Sequence, residues 1–528
     1  MRRLIRSLAL VVALVPPAHA EGYLDLAGLA AALDEPVEIG KSLEGRPILL
    51  ARLARGDAPL DARPTLLIVA GLAPDHAIGQ TVAARLAVAL RVAADGDEAL
   101  AALLDRCAVE IVPCLNPDGL AALATGPARA RRSNARPVDE DRDGFESEDG
   151  PDDLDGDGVI TTMRVRDARG AWRISEEDPR LMVRADAAKG EVGGWRVEIE
   201  SLDDDGDGRY GEDGPGGVDL DRNFAHGWQE HDPETGRSCP SEPETLALIR
   251  HVLSAPRIAA VLVLGHRDNL VKTAPVDGAK DREPPTGWHA ADHAWAEAIG
   301  ETYRELTGAK PGLDDVADGG FHQWAYAQRG LPAFATRVWH RPPPAEGQED
   351  AKTEDGRWLA WLDASGETKR FVPWTPFDHP TLGRVEIGGF APGARVNPPA
   401  AEIDRLVDVH AKFVAALLAR LPRVEWRDVK TTALAAGAHE IEATLANPSH
   451  LPVIGGMGEK TRAPMPVRVT LDLPRDAFLH GGPMTKLDRL DGEASHRFRW
   501  VVRVAAGTVV RLRAWTERAG IVETEVRP

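Results

Sequence analysis

The sequence predicts an α/β protein: a mixed, largely parallel sheet flanked by helices, interrupted by an Asp/Gly-rich insertion and followed by a C-terminal all-β sandwich. Three observations predict it. From Ile48 to Leu264 short apolar runs alternate with helical stretches. From about 136 to 217 repeated Asp and Gly break that rhythm, and from about 423 the chain turns to short alternating runs punctuated by Gly and Pro.

The strand candidates of the first region are ILLARLA (48–54), TLLIVAG (65–71), AVEIVPC (108–114) and IAAVLVLG (258–265). Between the second and third, Val82, Leu86 and Leu90 share one helical face. Strand, helix, strand implies parallel pairing through a right-handed crossover. EIDRLVDVHAKFVAALLARLP (402–422) reads as a helix stopped by Pro422. VRVTLDL, HRFRWVVRV and TVVRLRAW supply the sandwich, which places a domain boundary at 423 and divides the chain into 21–422 and 423–528.

At the N-terminus, Arg2, Arg3 and Arg6 precede the apolar run Leu8–Val15 and Ala18-His19-Ala20, the pattern of a secretory signal over residues 1–20. The expectation is a secreted or periplasmic protein. The 528-residue chain carries a formal net charge of −20, which repels nucleic-acid phosphates and anionic membranes, so neither is an expected partner. Cys107 and Cys114 lie on one apolar run; at ~3.3 Å per residue they are beyond the ~7 Å reach of a disulfide. With Cys239 they are expected to be free.

The insertion contains a repeat: DEDRDGFESEDGP (139–151) and DDDGDGRYGEDGP (203–215), with DLDGDGVIT between them. Carboxylates on alternate residues of a tight loop converge, and their mutual repulsion is relieved by a hard cation. Asp139, Asp141 and Asp143, Asp153, Asp155 and Asp157, and Asp203, Asp205 and Asp207 are the calcium candidates. The Glu expected at the twelfth loop position is Gly150, Arg164 and Gly214 in the three loops, with Glu148, Asp149, Glu212 and Asp213 as nearby substitutes. The alternative is a solvated acidic segment.

Seven further segments occur in a recognisable order: GKSLEGRPI (40–48), GLAPDHAIG (71–79), LNPDG (115–119), GVDLDRNF (217–224), SEPET (241–245), LGHRDN (264–269) and GGFHQWAYAQRGLPAFATRVW (319–339). Together they resemble the zinc-dependent carboxypeptidase family, the carboxypeptidase A-like metallopeptidases, over roughly residues 36–422. The resemblance implies an H-x-x-E pair of zinc ligands after the second strand and a later His, but here the first His position is Ala73 and the Glu position is His76. His76 and His266 remain as zinc candidates, with Asp75 as a possible third; His76 reads equally as a loop residue bonded to backbone. The family's general base falls on Arg337, a cation that cannot accept a proton, and Glu386 is the alternative base if 338–383 is an insertion.

The family's substrate-carboxylate pair reads Asp221-Arg222, and Arg131 or Arg132 falls near its second anion-stabilising arginine, while the capping Tyr falls near Asp315. These departures beside intact scaffold segments point to a pseudo-peptidase that binds peptide or protein C-termini without cleaving them. The alternatives are an active metallocarboxypeptidase using His76, His266 and Glu386, and a structural protein acting through the sandwich. Calcium is the expected cofactor; zinc is the family's.

Overall fold

The computed structural model describes residues 22–137, 150–204, 206, 208, 210–211, 216–278, 284–310, 318–344 and 350–528. Its central sheet has the strand order Val37–Lys41, Pro47–Leu53, Ala108–Val112, Thr65–Ala70, Ile258–Leu264, Ala333–Thr336. The first three strands pair antiparallel and the last four parallel. Thr65–Ala70 and Ile258–Leu264 are buried at every position, as continuous apolar runs must be when both faces of a sheet are covered. Helices Ala77–Gly96, Glu98–Arg106, His293–Thr307 and Ile403–Arg420 share the core with this sheet. Ala77–Gly96 is, among the described residues, the one helix long and apolar enough to cross a bilayer, and it lies sunk in that core.

The parallel register aligns Ala70 with Leu264 and Leu264 with Thr336. The segments leaving the three strands, which begin at Gly71, Gly265 and Arg337, therefore emerge side by side at one sheet edge, where ligands bind in parallel α/β folds. Gly71 makes the first exit possible: its φ is +66°, and an added Cβ would lie 2.7 Å from Cys114 Cα.

The Asp/Gly-rich insertion builds its own sheet. Strands Phe371–His379, Gly383–Phe390, Thr162–Arg166, Trp195–Ile199, Trp172–Ile174 and Met182–Arg184 pair antiparallel in that order. The sequence reading places the 136–217 segment outside the main sheet but does not foresee that 371–390 joins it. Met163, Val165, Tyr210, Val385 and Ile387 form its small core.

The C-terminal region forms two four-stranded antiparallel sheets, Glu425–Ala433, Ala438–Asn447, Ala494–Arg503, Phe478–His480 and Met484–Leu487, Val467–Leu471, Val510–Thr516, Gly520–Val526. They share a core that includes Ile441, Trp500, Val469 and Leu512. Asp292 of the large domain accepts from Gly456 N and Met457 N at 2.7 and 2.9 Å, and buried Arg518 donates to the carbonyls of Gly330 and Arg329 at 2.7 Å each. These bonds dock the sandwich. Cys107, Cys114 and Cys239 are free thiols.

Candidate binding cleft

The loop from Gly71 to His76 is held from several sides. Asn116 Nδ2 donates to Leu72 O at 3.2 Å, Gln80 Nε2 to Pro74 O at 2.9 Å and Asn397 Nδ2 to Asp75 O at 2.8 Å. Asp75 and His76 are thereby fixed at the start of helix Ala77–Gly96. His76 is the N-cap of that helix: its Nδ1 accepts from Gly79 N at 3.2 Å. Burial, reinforced by the charge of His266, pushes its pKa down to about 3, so the imidazole is neutral. With Nδ1 accepting, the proton sits on Nε2, beside the Arg337 backbone.

His266 follows the strand Ile258–Leu264. Its Nε2 lies 2.7 Å from Asp75 Oδ1, and its Nδ1 lies 3.5 Å from Arg132 Nη2. Burial would raise the Asp75 pKa, but the charge and hydrogen bond of His266, with help from Arg132 and His76, hold it below the ordinary value. The His76 and His266 rings meet edge to face with centroids 5.0 Å apart. Arg337, after the strand Ala333–Thr336, donates from Nε to the His266 carbonyl at 2.9 Å.

Arg222, Arg267 and Arg131 are engaged. Arg222 pairs with Asp232 at 2.5 Å and Glu234 at 2.6 Å, with Asp318 at 3.7 Å. Asp221, the acidic neighbour of Arg222, does not pair with it; it binds Arg267 Nε at 3.0 Å and accepts from Phe321 N at 3.0 Å at the start of helix Phe321–Arg329. Arg131 is buried, and its guanidinium donates to the carbonyls of Ser133 and Asn134. Arg132 is exposed, with its Nη2 beside His266 Nδ1.

Glu386 stands elsewhere. It lies on the insertion strand Gly383–Phe390 and pairs with Arg164 Nε at 2.5 Å, so the alternative base belongs to a different sheet from His76, His266 and Arg337. Asp315 and the calcium candidates Asp139, Asp141, Asp143, Asp205 and Asp207 lie outside the described residues.

The intact segments carry structure rather than chemistry. Asp118 of LNPDG accepts from Ser42 Oγ at 2.7 Å, Glu44 N at 2.8 Å and Arg46 Nη1 at 2.7 Å, all from GKSLEGRPI. Asn223 donates to Thr235 O and Ser238 O and accepts from Ser241 N and Glu242 N. Glu242 of SEPET in turn accepts from Asn134 Nδ2 at 2.7 Å and Arg136 Nε at 2.8 Å. Buried polar groups satisfied this way cross-link distant segments.

The sequence model of a family described as zinc carboxypeptidase matches residues 25–352, more than half of the chain. The chain belongs to the zinc carboxypeptidase family. A domain of unknown function matches residues 423–527. Carboxypeptidase E of Caenorhabditis elegans is 32% identical over 113 residues, 20% of this chain and 24% of that protein, so the match spans about a quarter of the relative. Among solved structures, bovine thrombin-activatable fibrinolysis inhibitor in complex with tick carboxypeptidase inhibitor is similar at 12% identity and a TM-score of 0.41, covering 75% of this chain and 96% of that one. Carboxypeptidase A from Helicoverpa armigera is similar at 16% identity and a TM-score of 0.36, covering 58% and 60%.

Among the described residues, this zinc carboxypeptidase family member does not present a set beside His76 and His266 that fits a catalytic zinc. Such a site takes three protein ligands and an open position. Ala73 has no donor, His76 Nδ1 is used by the helix cap, His266 Nε2 faces Asp75, and Arg337 adds a cation beside them. Among the described residues, one group of His, Cys, Asp and Glu has ligand atoms all within 4.8 Å of one another: Asp153, Asp155 and Glu200, in the insertion. Asp153 Oδ2 accepts from Gly158 N at 3.0 Å, while its Oδ1 is buried without a hydrogen-bond partner. Asp157 Oδ1 accepts from Val159 N at 2.8 Å, and Asp203 Oδ1 from Gly206 N at 2.8 Å. Glu200 is absent from the sequence-level candidates because no spacing rule links it to Asp153; pairing of Trp195–Ile199 with Thr162–Arg166 brings it there.

Proposed function

We propose that this protein is an exported, non-catalytic member of the zinc carboxypeptidase family that binds peptide or protein C-termini in the cleft, with no nucleic-acid or membrane partner. The observation that carries the reading is the Asp75–His266–Arg337 arrangement: a carboxylate takes the His nitrogen, and a guanidinium, at the position to which the sequence resemblance assigns the family's base, donates to the same residue. Among the described residues, a water molecule here finds no metal ligand set to acidify it, and Asp75 is already taken by His266. Export rests on the signal-like residues 1–20. The test is to incubate the purified full-length chain with zinc and with N-acetylated peptides, measuring both amino-acid release and peptide binding. Binding without release is expected; chelator-sensitive release overturns the reading.

The insertion is proposed to hold calcium at Asp153, Asp155 and Glu200. Glu200, just past the end of the strand Trp195–Ile199, stands in for the carboxylate missing at Arg164 of the loop.

A further inference from the structure

We propose that Arg132 and Arg337 together form a carboxylate-binding site on either side of His266, in the place that other members of the family give to metal and base. The inference rests on the non-catalytic reading above and names the group that anchors the ligand.

Both arginines touch the same residue from opposite ends. Arg132 Nη2 approaches His266 Nδ1 at 3.5 Å, and Arg337 Nε donates to the His266 carbonyl at 2.9 Å. Neither forms an ion pair with a carboxylate among the described residues, and beyond Nε the Arg337 guanidinium has no acceptor there. Asp268, the carboxylate nearest Arg337, is already committed: it accepts from Leu270 N, Val271 N and His340 Nε2, and from the Arg337 backbone rather than its side chain. Asp75 is taken by His266. Asp219, which also faces Arg132, is buried and has its Oδ1 on Asp221 N.

Two neighbouring guanidinium groups, one exposed and one half-buried, repel each other, and neither has a carboxylate partner among the described residues. An oxyanion beside His266 that meets both guanidinium groups relieves this repulsion, and a planar fork of donors suits a carboxylate. The family's usual anchor cannot serve in the same way, because Arg222 already meets Asp232 and Glu234.

The experiment is calorimetric titration of the full-length chain with a pool of N-acetylated tripeptides bearing free C-termini, with the same pool as C-terminal amides, and with acetate alone. Binding of the free acids, no binding of the amides, and at least about tenfold weaker binding for both Arg132→Ala and Arg337→Ala are expected from losing one charge-assisted contact. Arg337→Lys should recover part of the loss, and Arg222→Ala should stay near wild type. Acetate binding that is lost in Arg337→Ala supports the site for a free carboxylate even if the peptides prove to be cleaved, so failure of the non-catalytic reading is distinguishable. Unchanged affinity in Arg337→Lys and Arg337→Ala, loss in Arg222→Ala alone, or no binding of any probe overturns the proposal. Melting curves of each variant exclude misfolding.

Discussion

Arg337 Nε donates to the backbone carbonyl of His266 at 2.9 Å, which sets a cation where a carboxylate base would be useful and against the residue that would ligate a metal. Metal affinity, charge compensation and proton transfer are all opposed by different residues, namely Ala73, His76 and Arg337. The unmodified chain should therefore hold less than stoichiometric zinc in the cleft after dialysis, by elemental analysis. Each of Ala73→His, His76→Glu and Arg337→Glu alone should leave that value unchanged. The triple variant should raise it, and a single variant that binds zinc tightly would show that the remaining obstacles are unimportant.

His76 acts on stability through its cap. Removing a capping acceptor typically costs ~1 kcal/mol, so His76→Ala should lower the urea midpoint by about that amount, and His76→Asn should retain most of it. The pH sign follows from burial. A His whose pKa falls from 6.5 to about 3 on folding contributes stability that is present above 6.5 and lost as pH falls toward 3. His76→Asn should flatten that part of the acid-denaturation curve; an unchanged slope would assign it to other groups.

Much of the fold was legible because its polar segments do local, nameable work. Asp118, Asn223 and Glu242 are buried groups whose partners, Ser42, Ser241 and Asn134 among them, lie in other segments of the chain, so losing any of them leaves unsatisfied donors. The departures at Ala73 and Arg337 were legible for the opposite reason: no rotamer of Ala ligates a metal and no guanidinium is a base. What the strings do not show is partnership between distant residues. The fate of Arg222 depends on Asp232 and Glu234 in an unremarkable loop. Glu386 resembled a base because it precedes the last long helix, yet the insertion sheet is assembled from two separated pieces of chain, and pairing of Gly383–Phe390 with Thr162–Arg166 delivers it to Arg164.

Asp292 is the joint between the two large parts of the molecule. It is 1% exposed and accepts from Gly456 N, Met457 N and Tyr326 Oη, the last at 3.0 Å. Truncation strands these donors and Trp295 Nε1, which reaches Asp292 Oδ1 at 3.4 Å; at ~1–3 kcal/mol for each buried donor, Asp292→Ala should destabilise by at least about 3 kcal/mol. Limited proteolysis near 421–424 should accelerate in this variant. A loss of stability without faster cleavage there would locate the effect within the large domain instead.

Glu200 gives the calcium proposal a pH signature. It is fully buried, and burial first, then the charge of Asp155, push its pKa from 4.5 up to about 7 against the pull of its hydrogen bonds to Leu154 N and Thr161 N. A carboxyl whose folded pKa is raised contributes stability that is present below 4.5 and lost as pH rises through about 7, because the folded state must then bury a charge without a counter-ion. A divalent cation competes with that proton and supplies the missing counter-charge at Asp153, Asp155 and Glu200. The stabilisation on adding calcium, read as a rise in melting temperature, should therefore be small near pH ~5 and grow through pH ~7 to 8, reaching about 2.7 kcal/mol where free calcium is ~100-fold above its dissociation constant. Glu200→Gln removes both the proton site and the ligand charge, so it should flatten the pH dependence and abolish most of the calcium response together. A calcium shift that persists in Glu200→Gln would move the ion to other acidic residues, and no shift at any pH in the unmodified protein would leave the loop as a solvated acidic turn.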